Sequence, residues 1–233
     1  QNLERRALAR FDAITVVPGA VGAWRREALT SVGGYPTDTL AEDQDLTIAI
    51  QRAGWKVRYD QYAVALTEAP ERFGGLARQR FRWAYGTLQC LWKHKAIVRT
   101  GKPAGLARIG LPQAMLFQIF FAAISPIIDL ALLFSMLATA IGVEQHGWAQ
   151  TSGTVERMAV YWIVFSLADL LSGVIAMALE RREQTRLLWL LIPQRIGYRQ
   201  IMYYVVLKAI AQAIRGALVG WGKLDRTGRV HAT

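Results

Sequence analysis

Ala41-Glu42-Asp43-Gln44-Asp45-Leu46-Thr47-Ile48-Ala49-Ile50-Gln51-Arg52-Ala53-Gly54 is the stretch whose reading decides the fold. Leu46, Ile48, Ala49, Ile50 and Ala53 fit a helix over residues 42–53. Its acidic residues fall in the first turn, where the helix dipole favours them, and Gly54 stands just past its end. Upstream, residues 13–17 form a short β-rich run closed by Pro18-Gly19, and residues 22–29 read as a short helix that Gly33-Gly34-Tyr35-Pro36 breaks. Downstream, residues 55–66 carry strand signals at Val57, Tyr59 and 63–66 before the loop Thr67-Glu68-Ala69-Pro70. This alternation predicts an α/β domain.

The rest of the chain is oilier. With 233 residues, 53% of them apolar, and a mean hydropathy of +0.19, the chain is too apolar for an ordinary soluble domain. The excess lies mostly after Leu111. Residues 111–143 are long enough for a tilted membrane span with an interfacial lead-in, which Pro126 is expected to kink or divide. Residues 158–179 hold one charge, Asp169, and at about 1.5 Å per residue would cross a hydrocarbon core of about 30 Å. Residues 187–221 are interrupted by Arg195, Arg199, Lys208 and Arg215, and read either as one imperfect span or as an interfacial or re-entrant pair. Two regions follow: residues 1–100 as a water-soluble part, and residues 101–233 as membrane and interfacial helices with a basic tail.

The formal charge of +11 raises nucleic acid as a partner, but the placement of the charges favours a membrane. Arg78, Arg80, Arg82, Lys93, Lys95, Arg99, Lys102 and Arg108 precede the first apolar stretch, and Arg181, Arg182 and Arg186 follow the second. Between the stretches, residues 144–157 hold two Glu and a single Arg, which is the positive-inside pattern of a hairpin with both ends in the cytoplasm. No nucleic-acid motif competes with that reading. One cysteine, Cys90, excludes an internal disulfide. The chain opens at Gln1 without a targeting signal and reads as the back end of something longer.

Residues 73–95 return to a helical pattern, with Phe81, Tyr85, Leu88 and Trp92 along one face and basic residues around it, as in a helix lying along lipid headgroups. Glu42 and Asp43 either cap the helix they begin or act as carboxylates at a cleft, able to accept a proton from a hydroxyl. Gln79, Arg82 and Trp83 stand at i, i+3 and i+4, giving an amide, a guanidinium and an indole on one side of a helix. That set suits a phosphorylated sugar, since Arg binds diphosphate oxygens through paired donors and an indole offers a flat face to a sugar ring. The same residue types also anchor helices at membrane surfaces. Asp129 and Asp169 lie inside apolar spans and need partners, for which Arg195, Lys208 and Arg215 are candidates. His94, His146 and His231 show no metal-ligand spacing and receive no role.

In order and content these residues resemble the membrane-integrated family 2 glycosyltransferases, which include cellulose, chitin, hyaluronan and poly-N-acetylglucosamine synthases. Residues 18–29 look like the family's acceptor-side loop and helix, and Gly33-Gly34-Tyr35 like its sequel. Ala41-Glu42-Asp43 resembles the Thr-Glu-Asp motif, Thr67-Glu68-Ala69-Pro70 the loop before the interfacial helix, and Gln79-Arg80-Phe81-Arg82-Trp83 meets Gln-x-x-Arg-Trp in full. The resemblance extends through the membrane part to Gly220-Trp221-Gly222-Lys223. It implies the C-terminal half of a GT-A, Rossmann-like α/β domain over residues 1–100, followed by transmembrane helices, in a multi-pass protein of a bacterial inner membrane with its catalytic side cytoplasmic.

The same resemblance implies a processive, inverting transfer of a sugar, N-acetylglucosamine as first choice, from a UDP-sugar to a growing β-linked polysaccharide. Asp43 would be the catalytic base and Trp83 the platform under the acceptor. Glu42, Gln79, Arg80 and Arg82 would serve the substrate site, and Gly19 would leave room beside the backbone. A divalent cation, Mg2+ or Mn2+, is implied, but its Asp-x-Asp ligands belong to an earlier half-domain for which nothing before Phe11 is a candidate. The chain alone is therefore expected to be inactive. Ala41 departs from the usual Thr, removing a capping hydroxyl worth about 1 kcal/mol. Alternatives are a non-catalytic multi-pass subunit for polysaccharide assembly or export, and a non-processive transferase acting on a lipid acceptor. Donor, polysaccharide and lipid are the implied partners, along with export or assembly subunits, and nucleic acid is not.

Overall fold

The computed structural model describes residues 2–179, 185–191, 193–195 and 197–216. Gly220-Trp221-Gly222-Lys223, the tail over residues 222–233, and Arg181 and Arg182 lie outside the described residues. The elements run α1 (Asn2–Arg10), α2 (Arg26–Ser31), α3 (Glu42–Arg52), α4 (Phe73–Lys93) and α5 (Ala96–Thr100). A π-helical turn (Leu106–Gly110), α6 (Leu111–Gln113), a second π-helical stretch (Ala114–Phe120), α7 (Phe121–His146) and α8 (Trp148–Leu179) follow. Two 3-10 segments (Thr185–Leu191 and Pro193–Arg195) lead to α9 (Tyr198–Ile214). The chain divides into one compact unit of residues 1–123 with 201–233, and a second of residues 124–200.

The helix expected over residues 42–53 forms as α3, and Gly54 follows it at φ +91°, a left-handed conformation that suits glycine. The expected α/β character does not appear, because no strand forms among the described residues. Residues 13–17 and 55–60 are irregular, and residues that carry their β signals are buried. Ala13, Ile14 and Val57 are buried together with Leu8, as half-buried strand residues would be. A strand also needs a ladder, and here side chains of α3 take that place. Gln51 Nε2 donates to the Ile14 carbonyl at 2.6 Å, and the Val17 N–H donates to Thr47 Oγ1 at 2.9 Å. Tyr62, Val64 and Leu66 are exposed, with no neighbouring strand beside them.

The first unit has a core in which Ala41 and Ile48 meet Cys90, Ile97, Leu106, Ala107 and Leu111. Residues 106–120, which include the expected interfacial lead-in, are therefore helical and packed, with Leu106, Leu111 and Ala114 buried. Glycine permits this close approach. A Cβ at Gly110 would lie 2.5 Å from the Ala13 carbonyl oxygen, and one at Gly105 would overlap the Phe11 carbonyl. The face of α4 carrying Phe81, Tyr85 and Leu88 packs on Leu40 and on Ala209 of α9, while Trp92 stays exposed with Lys95 Nζ 3.6 Å above its ring. Residues 201–214 of α9 thus belong to a packed helix, with Val205 and Val206 also buried.

Two helices, Leu106–His146 and Trp148–Leu179, are long and apolar enough to cross a membrane. The most apolar stretch of each helix is almost wholly unburied, consistent with a lipid surround. Pro126 does not divide α7, which runs through it unbroken. A proline removes one helix hydrogen bond, and where no water competes for the backbone the flanking bonds hold. Within the second unit, Asp169 pairs with Arg195 at 2.6 Å, and Asp129 pairs at 3.0 Å with Arg199, which is not among the candidates named from sequence. Arg195 Nη1 also donates to Ser166 Oγ at 3.1 Å.

These contacts predict that Gly110→Val destabilises the first unit by about 2 kcal/mol through overpacking. Gly153→Ala, with nothing within 4 Å of the added carbon, should be neutral or mildly stabilising. Denaturant titration of the detergent-solubilised protein, followed by tryptophan fluorescence, measures both, and an unshifted midpoint for Gly110→Val would contradict the packing.

Candidate functional site

Asp43 is the second residue of α3, in a first turn whose N-cap, Ala41, offers no side-chain hydrogen bond. Its half-buried carboxylate is oriented from two sides. Oδ2 accepts the Gly19 N–H at 3.2 Å and Oδ1 accepts the Gln44 N–H at 2.8 Å. The Asp43 carbonyl accepts the Thr47 hydroxyl at 2.6 Å, and through Thr47 the turn is linked to Val17 just ahead of Gly19. An ionised carboxylate held this way keeps free lone pairs with which to accept a proton. Steric room is not what Gly19 supplies to Asp43, since an added Cβ would meet Asp43 Cβ at an ordinary 4.0 Å.

Burial pushes the neighbouring Glu42 carboxyl above its usual value, against a backbone hydrogen bond; the Asp43 charge adds to the rise and the Arg82 charge opposes it. Arg82 on α4 is thereby near enough to Glu42 for their charges to interact. Trp83 is 44% exposed, and the Arg80 guanidinium lies 4.4 Å from its ring centroid. Arg80 is thus stacked on the indole, a cation–π contact that orients the ring and leaves apolar surface exposed. Gln79, half-buried one turn earlier on α4, is not brought into hydrogen-bond contact with Asp43.

The contact between α3 and α4 is close and polar. A Cβ at Gly86 would lie 2.6 Å from Ala41 Cβ and 2.7 Å from the Ala41 nitrogen, so α4 rests on the backbone just before α3. The Leu40 N–H donates to Gln89 Oε1 at 2.8 Å, and Thr87 Oγ1 donates to Gln44 Oε1 at 2.9 Å. Asp45, 1% exposed, accepts from Thr39 Oγ1 at 3.0 Å, Lys93 Nζ at 2.8 Å and His94 Nε2 at 2.6 Å. Burial alone would raise the Asp45 carboxyl, but the His94, Lys93 and Thr39 hydrogen bonds outweigh it and hold the group below the usual carboxylate value. Lys93 also meets Asp38 at 2.7 Å.

Residues 6–179 match the family profile described as glycosyl transferase family group 2. The chain belongs to this family. Over 97 residues this glycosyltransferase chain is 37% identical to an N-acetylglucosaminyltransferase of Rhizobium sp. (strain N33), covering 38% of the chain and 21% of the relative. It is 38% identical over 97 residues to an N-acetylglucosaminyltransferase of Mesorhizobium japonicum, covering 38% and 23%. It is 36% identical over 121 residues to a cellulose synthase catalytic subunit (UDP-forming) of Komagataeibacter sucrofermentans, covering 52% and 16%. The chain therefore spans about a fifth of the length of the curated relatives it matches. No solved structure gives a match.

Sequence reasoning missed Asp45 and His94 in this glycosyltransferase. A signal was available: Asp45 stands three residues before Ile48 on the apolar side of α3, where a carboxylate must find partners. Among the described residues, no cluster of three or more His, Cys, Asp or Glu is placed to hold a metal ion.

Because the folded Asp45 value is depressed, its contribution to stability is present above the unfolded value, near 3.8, and is lost as pH falls through the folded one. Asp45→Asn should cost about 2 kcal/mol at neutral pH, discounted for the partly exposed Lys93. The variant should also flatten the loss of stability below pH 3.8. Thermal unfolding across pH 3 to 7 checks both, and parallel wild-type and variant curves would refute the assignment.

Proposed function

We propose that the chain provides the acceptor-side part of a GT-A catalytic domain, residues 1–100, and the membrane region, residues 101–233, of a processive inverting glycosyltransferase. Asp43 is the base: its carboxylate takes the proton of an acceptor hydroxyl, whose oxygen attacks the anomeric carbon of a UDP-sugar as the bond to UDP breaks. The observation that carries this reading is the Asp43 carboxylate held by the Gly19 N–H at the start of α3, beside the helix bearing Gln79, Arg82 and Trp83. Trp83 offers its indole face to the acceptor sugar, with Arg80 stacked behind it. Arg82 and Gln79 serve the diphosphate side, and Glu42 holds Arg82 in place through its charge. N-acetylglucosamine is the preferred sugar, supported by the similarity to the Rhizobium and Mesorhizobium N-acetylglucosaminyltransferases, and a β-linked polysaccharide is the product, supported by the similarity to the Komagataeibacter cellulose synthase.

In the α/β reading, residues 13–17 and 55–66 pair with strands of a fuller domain such as the relatives possess, of which this chain spans about a fifth. Family 2 glycosyltransferases generally use a divalent cation, which neutralises the departing diphosphate. The described residues do not form a site for it, and no step here is assigned to it. The two long apolar helices cross an inner membrane, with the catalytic side cytoplasmic by the distribution of Lys and Arg.

In the native full-length protein in its membrane, Asp43→Asn should lower polymer formation from UDP-N-acetylglucosamine by about 1000-fold or more with normal membrane insertion. Trp83→Ala should shorten the product while UDP binding stays within about twofold. Radiolabel incorporation and product sizing measure these effects, and undiminished polymer from Asp43→Asn would remove the catalytic reading.

A further inference from the structure

The first turn of α3 carries the Asp43 carboxylate but lacks the side-chain cap that usually fixes such a turn. What fixes it instead is Asp45, two residues on, whose carboxylate reaches back to Thr39 and across to Lys93 and His94. His94 is 2% exposed and the first residue past α4. Its two nitrogens are assigned by their partners. Arg52 Nη1, at 3.2 Å from Nδ1, can only donate, and the Asp45 carboxylate at Nε2 accepts. The ring is thus a bridge: Nε2–H is given to Asp45 at the start of α3, and Nδ1 accepts from Arg52 at the end of the same helix.

This bridge clamps both ends of α3 to the end of α4. A rotation or slide of α3 would break two oriented hydrogen bonds, the one to Asp45 buried and the one to Arg52 made by an exposed side chain. The same rotation would carry Asp43 away from the Gly19 N–H. Resting on the reading of Asp43 as the base, we propose that His94 and Asp45 are positioning residues for that base, locking the turn of α3 in register with the α4 helix that carries Gln79, Arg82 and Trp83. The bridge touches no substrate. Its effect is on turnover, because a carboxylate misplaced by about 1 Å loses up to about 100-fold in rate while ground-state contacts to the donor remain.

The test uses the full-length protein in nanodiscs with UDP-N-acetylglucosamine as the probe, measuring kcat per folded molecule, donor KM and the melting temperature. His94→Phe fills the space without either hydrogen bond and should lower kcat by about 10- to 100-fold with donor KM within about threefold of wild type. His94→Gln restores a donor for Asp45 and an acceptor for Arg52, and should keep at least about a third of the wild-type kcat. Should His94→Phe not fold, Arg52→Ala takes its place, with a kcat loss of about threefold expected. A lowered melting temperature with kcat per folded molecule unchanged overturns the proposal, as does His94→Gln behaving like His94→Phe. Asp43→Asn run alongside separates the two claims. If it keeps full turnover, the base reading fails and the positioning role falls with it; if it abolishes turnover while His94→Phe leaves kcat intact, only the positioning role fails.

Discussion

A carboxylate with 1% of its side-chain surface in water must be met by donors, because an unpaired buried charge costs several kcal/mol. Asp45 imposes that constraint on the first unit. Its donors come from Thr39 just before α3 and from Lys93 and His94 at the end of α4, so the start of one helix and the end of the other are brought together. The rest follows from this junction. Gly86 is where α4 comes closest to the backbone of Ala41, with no room for a Cβ. Gln89 and Thr87 satisfy the polar groups left over, and the Arg82 charge comes within reach of Glu42.

The same rule governs the second unit in a different solvent. Carboxylates in long apolar helices are tolerated when an arginine answers each of them. Asp169 and Asp129 find Arg195 and Arg199, both from the segment after α8. Basic residues that interrupt every hydrophobic window between 187 and 221 in the sequence thus include the partners of the two intramembrane acids. Among the described residues of that segment, two 3-10 pieces and α9 form rather than one long apolar span.

What could be read from the sequence was local. The helix at 42–52 announced itself by an acidic first turn, a periodic apolar face and a closing glycine, all of which act within a few residues. The grouping of Gln79, Arg82 and Trp83 on one helix was equally local, as were the two long apolar helices. Strands expected at 13–17 and 55–66 do not form among the described residues, because alternation reports burial, whereas a strand is completed only by a neighbour that no local pattern specifies. Of the two outcomes expected at Pro126, division does not occur, since a single lost hydrogen bond interrupts a helix where water competes for the backbone. His94 was dismissed for lacking metal-ligand spacing. Its partner, Asp45, lies 49 residues away, and only the fold makes them neighbours.

The central claim is that the carboxylate held by Gly19 and the side chains of α4 face one reacting sugar. A structure of the full-length protein with UDP and an oligosaccharide acceptor bound tests this most directly. The account predicts the terminal acceptor hydroxyl within about 2.6–3.2 Å of an Asp43 oxygen, with that sugar against the open face of Trp83. An acceptor end bound away from both residues, with Asp43 still turned to Gly19 and nothing else, would contradict it.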